Sequence, residues 1–133
     1  MPDQQAHLRQ ARHNRDLIAA LDPTTTLFTD WVVIGAFYAA LHMVEAWFAS
    51  RGLHFMSHVE RDDWISKAKE LRRTIWPRYK ELEFQSRRAR YQCVSFDRDD
   101  VQQRLLVYLA DIEQEIHKLG GQTVCEDLGA SNH

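Results

Sequence analysis

The segment from residue 30 to residue 50 constrains the fold most, because it is apolar on two sides at helical spacing. Phe37, Leu41 and Val44 recur at the i, i+3, i+4 spacing of one helix face, and small residues, including Gly35 and Ala39, form a second face beside it. A helix with two apolar faces is typical of the middle of a bundle. With 133 residues, five Gly and three Pro, the chain is one domain long and has few residues suited to hairpin turns. We therefore predict an all-α fold.

Five segments have helical periodicity or helix-end signals. They cover approximately residues 3–21, 30–50, 59–74, 77–93 and 97–120. Thr29 or Asp30 is the predicted N-cap of the second helix, and Ser57 caps the third. This pattern predicts an up-and-down four-helix bundle with a short additional helix. We expect residues 1–121 to form a single domain and residues 122–133 to form a flexible tail.

The N-terminal sequence and the cysteines predict a cytoplasmic protein. No basic segment followed by an apolar run opens the chain, and no apolar stretch of about 18 residues lacks a polar break, so we expect no membrane association. Cys93 and Cys125 lie far apart and outside metal-type spacings, which argues against a disulfide or a zinc site. We predict no cofactor and no bound metal.

Charge is unevenly distributed along the sequence. Nine basic and three acidic residues lie between Lys67 and Arg90, whereas acidic residues dominate from Asp97 onward. Two interpretations are open: a phosphate-binding face, or two helices of complementary charge that pack against each other.

A polar cluster directly follows the central helix and Gly52. It comprises His54, Ser57, His58, Glu60 and Arg61. In a structural interpretation, Ser57 caps the third helix, while His58 and Arg61 tie the loop to a carboxylate such as Glu45. In a functional interpretation, the same residues form a site. The spacing of His54 and His58 fits a metal site only on a helix, and Gly52 predicts a loop there.

Several strings in a fixed order resemble small bacterial members of the HEPN superfamily, over about residues 7 to 110. They are His7-Leu8-x-x-Ala11-x-x-Asn14, Asp30-Trp31, Phe37-Tyr38-Ala39-Ala40-Leu41-His42-x-Val44-Glu45-Ala46, Gly52-x-His54-x-x-Ser57-His58-x-x-Arg61, Tyr79-x-x-Leu82 and Ser86-Arg87-x-Ala89-Arg90-Tyr91. The resemblance implies an up-and-down helical bundle that forms a homodimer. It also implies a place among metal-independent endoribonucleases, toxins of toxin–antitoxin pairs, phage-defence effectors and non-catalytic relatives.

One departure from the HEPN pattern concerns catalysis. Active HEPN nucleases carry an Arg, a polar residue and a His after four to six intervening residues, near the start of a late helix. Here the histidine that follows Arg87, Arg88 and Arg90 is His117, which is far too distant. The spacing from Arg51 to His58 fits the count but falls in the loop after the second helix.

Metal-free RNA cleavage would still need an acid, a base and cations around the phosphate. On this hypothesis His58 is the acid/base, Arg61 and Arg90 hold phosphate, and Tyr91 orients it. Further candidate phosphate- or substrate-binding residues are Arg87, His54, Asn14 and Tyr38.

Two function classes follow from these observations. The first is an HEPN-like protein that acts on or binds RNA, for example as an endoribonuclease or toxin-like effector with an antitoxin partner. The second is a non-catalytic module that binds a partner protein or a nucleotide. Within the central helix, Tyr38, His42 and Glu45 lie three or four residues apart, and such a stripe forms either a site or a satisfied buried network.

Overall fold

The computed structural model describes residues 2–120, and this part of the chain is helical and contains no strand. Its helices are α1 (Gln4–Leu21), α2 (Thr29–Ala49), α3 (His58–Lys67), α4 (Trp76–Tyr91), α5 (Arg98–Asp100) and α6 (Leu106–Leu119), with a π-helical segment, Val101–Leu105, between the last two. The all-α prediction is therefore confirmed, and the helices form a bundle. The tail predicted from residue 122 onward lies outside the described residues.

Helix α2 is the centre of the bundle and packs against α1, α4 and α6. Its small-residue face allows a close approach of α1. A Cβ atom at Gly35 would lie 3.3 Å from Cγ1 of Ile18, so even alanine would require a local adjustment. The larger residues of α2, including Phe37, Trp47 and Phe48, fill the core. The two-faced apolar pattern of the sequence thus has a direct structural cause.

By length and composition alone, α2 is apolar enough to cross a membrane. The mean hydropathy of its most apolar window is 1.6, and 78% of that window is buried inside the bundle. Core helices of water-soluble proteins share these properties, so the pattern has an explanation in packing alone.

The connection between α3 and α4 differs from the prediction. Helix α3 ends at Lys67 rather than near residue 74, because Ala68 adopts an extended conformation with ψ of 125°. The turns that follow place Leu71 and Ile75 in the core, where both are fully buried. Helical spacing predicts that Trp64 faces inward with Ile65 and Leu71, but its side chain is 44% exposed.

Two other helix ends also depart from the sequence pattern. Helix α2 begins after Phe28 without a side-chain cap, so neither Thr29 nor Asp30 has the predicted N-cap role. Cys93 ends the apolar pattern of the fourth predicted segment and is a candidate for burial, but it is exposed and has a left-handed conformation (φ 53°) just beyond α4. An L-residue seldom adopts this conformation within a helix. Helix α4 therefore ends before Cys93, and the Cys93 side chain is not carried into the core.

The last helical segment contains one irregularity. The backbone N–H of Leu106 donates to the carbonyl of Val101, five residues earlier, which defines a π-helical segment. Despite this extra residue, Val101, Leu105, Leu109, Ile112 and Ile116 are all buried as predicted.

Ion pairs join α4 to the C-terminal helical segment. Nε of Arg78 lies 3.1 Å from Asp111, and Nη1 of Arg104 lies 2.6 Å from Glu81. Packing of helices with complementary charge therefore accounts for part of the uneven charge distribution. Two other α4 arginines, Arg87 and Arg90, line a cavity.

Candidate functional site

Two cavities open on either side of α2 residues Tyr38 and Leu41, which line both of them. The first is lined by Arg61, Arg87 and Arg90 and is called here the arginine cavity. The second is lined by His7, His42, His54 and Glu45 and is called the histidine cavity. Their volumes are about 440 and about 330 Å³, respectively. Each cavity therefore has room for a small ligand.

The polar wall of the arginine cavity comes from α2, α3 and α4. In chain order it comprises Tyr38, His58, Arg61, Glu83, Arg87, Arg90 and Tyr91. Ser57 starts α3 by accepting a hydrogen bond from the Glu60 N–H at 3.1 Å, and this cap places His58 and Arg61 within the first helical turns. Arginines at positions 87 and 90 are three residues apart on α4, so they project from one side of that helix.

Arg61 lies deepest among the cavity arginines and is held from two sides. Its Nη1 donates to Oε1 of Glu45 at 2.8 Å, and its Nε donates to the Tyr79 hydroxyl at 2.9 Å. Burial opposes the guanidinium charge, but Tyr79 and Glu45 outweigh it and raise the pKa of Arg61. The structural prediction for Arg61 is thus confirmed: it ties α3 to Glu45. A fixed, always charged guanidinium at the cavity wall can also attract an anion.

Arg90 and Arg87 are more exposed than Arg61. Nη1 of Arg90 donates to the Tyr38 hydroxyl at 3.1 Å, and its guanidinium lies 5.7 Å from the Tyr38 ring and 5.2 Å from the Tyr91 ring. Nη2 of Arg87 lies 3.9 Å from Glu83. Tyr91 is 72% exposed, so its ring is accessible to a planar ligand group.

Glu83 is the acidic residue of the arginine cavity, and its charge is compensated. It is only 2% exposed, and Lys80 donates to it at 2.9 Å. Burial and the nearby Glu83 carboxyl raise the pKa of Asp62 to about 6. Burial alone would raise the pKa of Glu83, but hydrogen bonds from Asp62 and Lys80 lower it. With Lys80 and Arg87 beside Glu83, the cavity keeps a net positive charge from Arg61 and Arg90.

The histidine cavity contains a chain of close polar contacts between α1 and α2. Nδ1 of His7 lies 3.0 Å from Nδ1 of His42, and Nε2 of His7 lies 3.3 Å from Oε2 of Glu45. Glu45 in turn accepts from Arg61 through its other oxygen. Of the stripe Tyr38, His42 and Glu45, the last two therefore belong to one polar network with His7 and Arg61, whereas the Tyr38 hydroxyl accepts a hydrogen bond from Arg90.

Burial keeps the two facing imidazoles neutral near pH 7. Desolvation is the main cause that lowers the pKa of His7, although the Glu45 charge acts in the opposite direction. Desolvation and the charges of His7 and Arg61 lower the pKa of His42 to about 4. One ring nitrogen must donate and its partner must accept, so the 3.0 Å contact is a hydrogen bond between neutral rings. His7, His42 and Glu45 also form a group that can hold a metal ion.

The structure brings most of the predicted site residues together. His58, Arg61, Arg87, Arg90, Tyr91 and Tyr38 all line the arginine cavity. His54 lies outside α3, in the loop, and lines the histidine cavity instead. Asn14 lines neither of these two cavities, and its side-chain amide donates to the Gln10 carbonyl on α1. Arg51 lines neither of these two cavities, and its guanidinium stacks over Trp47 at 4.1 Å.

The sequence reasoning did not connect His7 with His42, which are 35 positions apart. One signal of this polar cluster was present in the sequence: His42 and Glu45 are one helical turn apart on the central helix, and His7 lies on the predicted first helix. Their contact depends on the relative register of α1 and α2. That register follows from the close approach at Gly35, which periodicity within one helix does not specify.

The similarity to HEPN proteins stays a prediction, because nothing outside the quoted strings identifies a family. The chain matches no protein-family model, no curated protein and no solved structure.

Proposed function

We propose that this chain is an HEPN-like protein that binds RNA through the arginine cavity. The observation that supports this proposal most strongly is the convergence of three arginines from α3 and α4 on one cavity beside two tyrosines. Arginine guanidinium groups pair with phosphate oxygens, and tyrosine rings stack on unpaired bases. Arg61 is the fixed phosphate partner, and Arg87 and Arg90 are the adjustable ones.

Single-stranded RNA is the preferred ligand class for physical reasons. The cavity is open to solvent and is large enough for about one nucleotide unit, with Tyr91 exposed at its edge. A strand can place one phosphate inside the cavity and stack an adjacent base on Tyr91. Arg90 contacts both tyrosine rings, so it links the phosphate-binding side to the stacking side.

Binding is tested by fluorescence anisotropy with a labelled single-stranded RNA of mixed sequence in EDTA. The double variant Arg87→Gln/Arg90→Gln is expected to weaken binding by more than about tenfold at moderate salt. Arg78→Gln is the matched control, because Arg78 is an α4 arginine that pairs with Asp111 instead of lining the arginine cavity. Equal loss in both variants, or no wild-type binding, contradicts the proposal.

The nucleotide-binding alternative is distinguished in the same assay. Unlabelled mononucleotide is added as a competitor, together with single-stranded DNA of the same sequence. Competition by mononucleotide at the concentration at which RNA competes favours a nucleotide-binding module. Selective competition by RNA supports contacts with more than one nucleotide.

RNA cleavage is a second candidate function, and its supporting observation is the position of His58. This histidine is exposed at the first turn of α3 and lines the same cavity as the arginines. It is the one histidine among the described residues lining that cavity, whereas acid–base cleavage requires two proton-transfer groups. Glu83 is a poor second group because it is ion-paired and its pKa is lowered. The geometry therefore favours binding over cleavage.

Cleavage is tested with total RNA in EDTA, using folded wild type and the variants His58→Ala and Arg90→Ala. Wild-type cleavage that leaves cyclic-phosphate ends and disappears in both variants would identify a metal-independent ribonuclease. Intact RNA together with measurable binding would restrict the function to binding.

Homodimerisation is part of the proposal and is supported by an exposed apolar group at the start of α2. Leu27, Phe28 and Trp31 are 86%, 58% and 52% exposed. Large apolar side chains grouped at a surface are typical of interaction sites. Light scattering coupled to size exclusion should give twice the chain mass, and Phe28→Glu/Trp31→Glu should give a monomer. We also propose a cytoplasmic location and an effector role with an antitoxin-type protein partner, which affinity capture from the source cell would test.

A further inference from the structure

The histidine cavity contains a set of ligand atoms that RNA binding does not use. Taking one atom from each of His7, His42 and Glu45, the three atoms lie within 4.8 Å of one another. Nδ1 of His7 lies 3.0 Å from Nδ1 of His42, whereas Nε2 of the same ring faces Glu45 at 3.3 Å, and an ion would take only one of these two His7 nitrogens. Ligands of a tetrahedral Zn²⁺ ion with bonds of about 2.0–2.1 Å are separated by about 3.3 Å. Because the three ligand atoms already lie within 4.8 Å of one another, small side-chain movements would bring them to this spacing.

We propose that His7, His42 and Glu45 bind a divalent transition-metal ion, of which Zn²⁺ is the best match. Two imidazoles and one carboxylate, with a position left open, are a ligand set that zinc accepts. Imidazole nitrogen also disfavours Mg²⁺ and Ca²⁺, which prefer oxygen ligands. This site uses the other cavity and is linked to the proposed RNA site through the Glu45–Arg61 ion pair.

The surroundings of the three residues fit this role. Glu45 is oriented by Arg61, which occupies Oε1 and leaves Oε2 toward His7. Carboxylate ligands in metal sites are commonly held by such outer hydrogen bonds. The ligands come from two helices packed tightly at Gly35, so the framework around the ion is rigid.

The three ligand residues line the histidine cavity, so a fourth ligand of the ion would be supplied from this cavity. This cavity has a volume of about 330 Å³, enough for a water molecule or a small ligand on the ion. His54 is exposed in the loop and lines the same cavity, so it is the nearest further histidine for a fourth bond. Without a metal, the same atoms form a neutral hydrogen-bonded network. If the three residues form only this network, Zn²⁺ should not bind; if they form a metal site, Zn²⁺ should bind.

The test is isothermal titration of tag-free, chelator-treated protein with ZnCl₂, and separately with MgCl₂. We expect one Zn²⁺ per chain and no heat from Mg²⁺. The isosteric changes His7→Gln, His42→Gln and Glu45→Gln should each weaken Zn²⁺ binding by more than about tenfold. His13→Gln is the control, because His13 is an exposed α1 histidine outside the ligand group; it should bind as the wild type does.

Direct spectroscopy makes the outcome independent of variant folding. X-ray absorption at the zinc edge of the wild-type complex should show two or three imidazoles and oxygen, and no sulfur. Circular dichroism of each metal-free variant checks its fold. Absence of wild-type binding, or unchanged affinity in the folded ligand variants, overturns the proposal. Loss of RNA binding in the arginine variants with retained Zn²⁺ binding would separate the two sites.

Discussion

The arginine cavity and the histidine cavity share one wall of α2 but differ in charge and in the origin of their residues. Arg61, Arg87 and Arg90 give the first a positive charge, whereas the second contains two neutral imidazoles and the paired carboxylate of Glu45. Cations that remain charged in a cavity attract anions, while neutral imidazoles are ligands for cations. One helix therefore separates two cavities of different electrostatic character.

Glu45 and Arg61 connect the two cavities physically. Glu45 lines the histidine cavity, and Arg61 lines the arginine cavity, and they are joined at 2.8 Å. Changes that break this ion pair should affect both sites, whereas changes farther along either wall should affect only one.

The largest expected effect is that of Glu45→Ala. This change leaves the Arg61 guanidinium, 11% exposed, without its carboxylate and removes the acceptor for His7. We expect a loss of about 3 kcal/mol in the free energy of unfolding, measured by urea denaturation. Glu45→Gln keeps an acceptor of the same size and should lose less. A loss below about 1 kcal/mol for Glu45→Ala would show that the Glu45–Arg61 ion pair contributes little to the stability of the fold.

The second effect is confined to the arginine cavity. Tyr91→Leu removes an exposed ring that lies beside Arg90 and should weaken RNA affinity by about 1–2 kcal/mol through lost stacking. Tyr91→Phe retains the ring and should bind nearly as the wild type does, as measured by anisotropy. If both variants lose the same affinity, the Tyr91 hydroxyl rather than its ring is responsible.

The third effect is pH-dependent and involves Asp62, which interacts with the cavity residue Glu83. The folded pKa of Asp62, about 6, exceeds the ordinary aspartate value of 3.8, so its contribution to stability is complete below pH 3.8 and is lost as pH rises through about 6. Asp62→Asn should therefore raise stability by about 1 kcal/mol at pH of about 8, with little gain at pH of about 5. The expected gain in stability is smaller than the free energy that corresponds to the whole pKa shift of Asp62, because the variant also loses the attraction between Asp62 and Lys80.

Thermal unfolding of Asp62→Asn and Asp63→Asn at both pH values measures this difference. Asp63 is the neighbouring carboxylate, is 57% exposed and pairs with Lys67, so its variant should show no comparable pH dependence. A gain for Asp62→Asn that does not change with pH would rule out the raised pKa as the cause.

The smallest effect separates the arginines of α4 by role. The Arg78 and Asp111 side chains are both 37% exposed, and Arg78→Gln should cost about 0.5 kcal/mol of stability without changing RNA affinity. Denaturation and anisotropy on the same sample measure both quantities. Weakened RNA binding in this variant would extend the RNA-binding surface beyond the arginine cavity.

The sequence predicted the helices better than their ends. Apolar periodicity located the long helices, because burial of one face requires it. The end of α3 was missed, since Leu71 continues its apolar pattern although the chain turns at Ala68. The predicted burial of Trp64 was wrong because its spacing places it on a helix face but does not decide whether another element covers that face.

The sequence by itself determined the all-helical class, the central position of α2, the cap at Ser57 and six of the polar residues now found around the arginine cavity. These features depend on local periodicity, on capping and on residues close to one another along α3 and α4. Only the tertiary structure decided that His7 meets His42, that His54 faces away from the arginine cavity and that Glu45 joins both cavities. Each of these depends on the register and crossing of separate helices, which is fixed by packing at contacts such as Gly35 against Ile18.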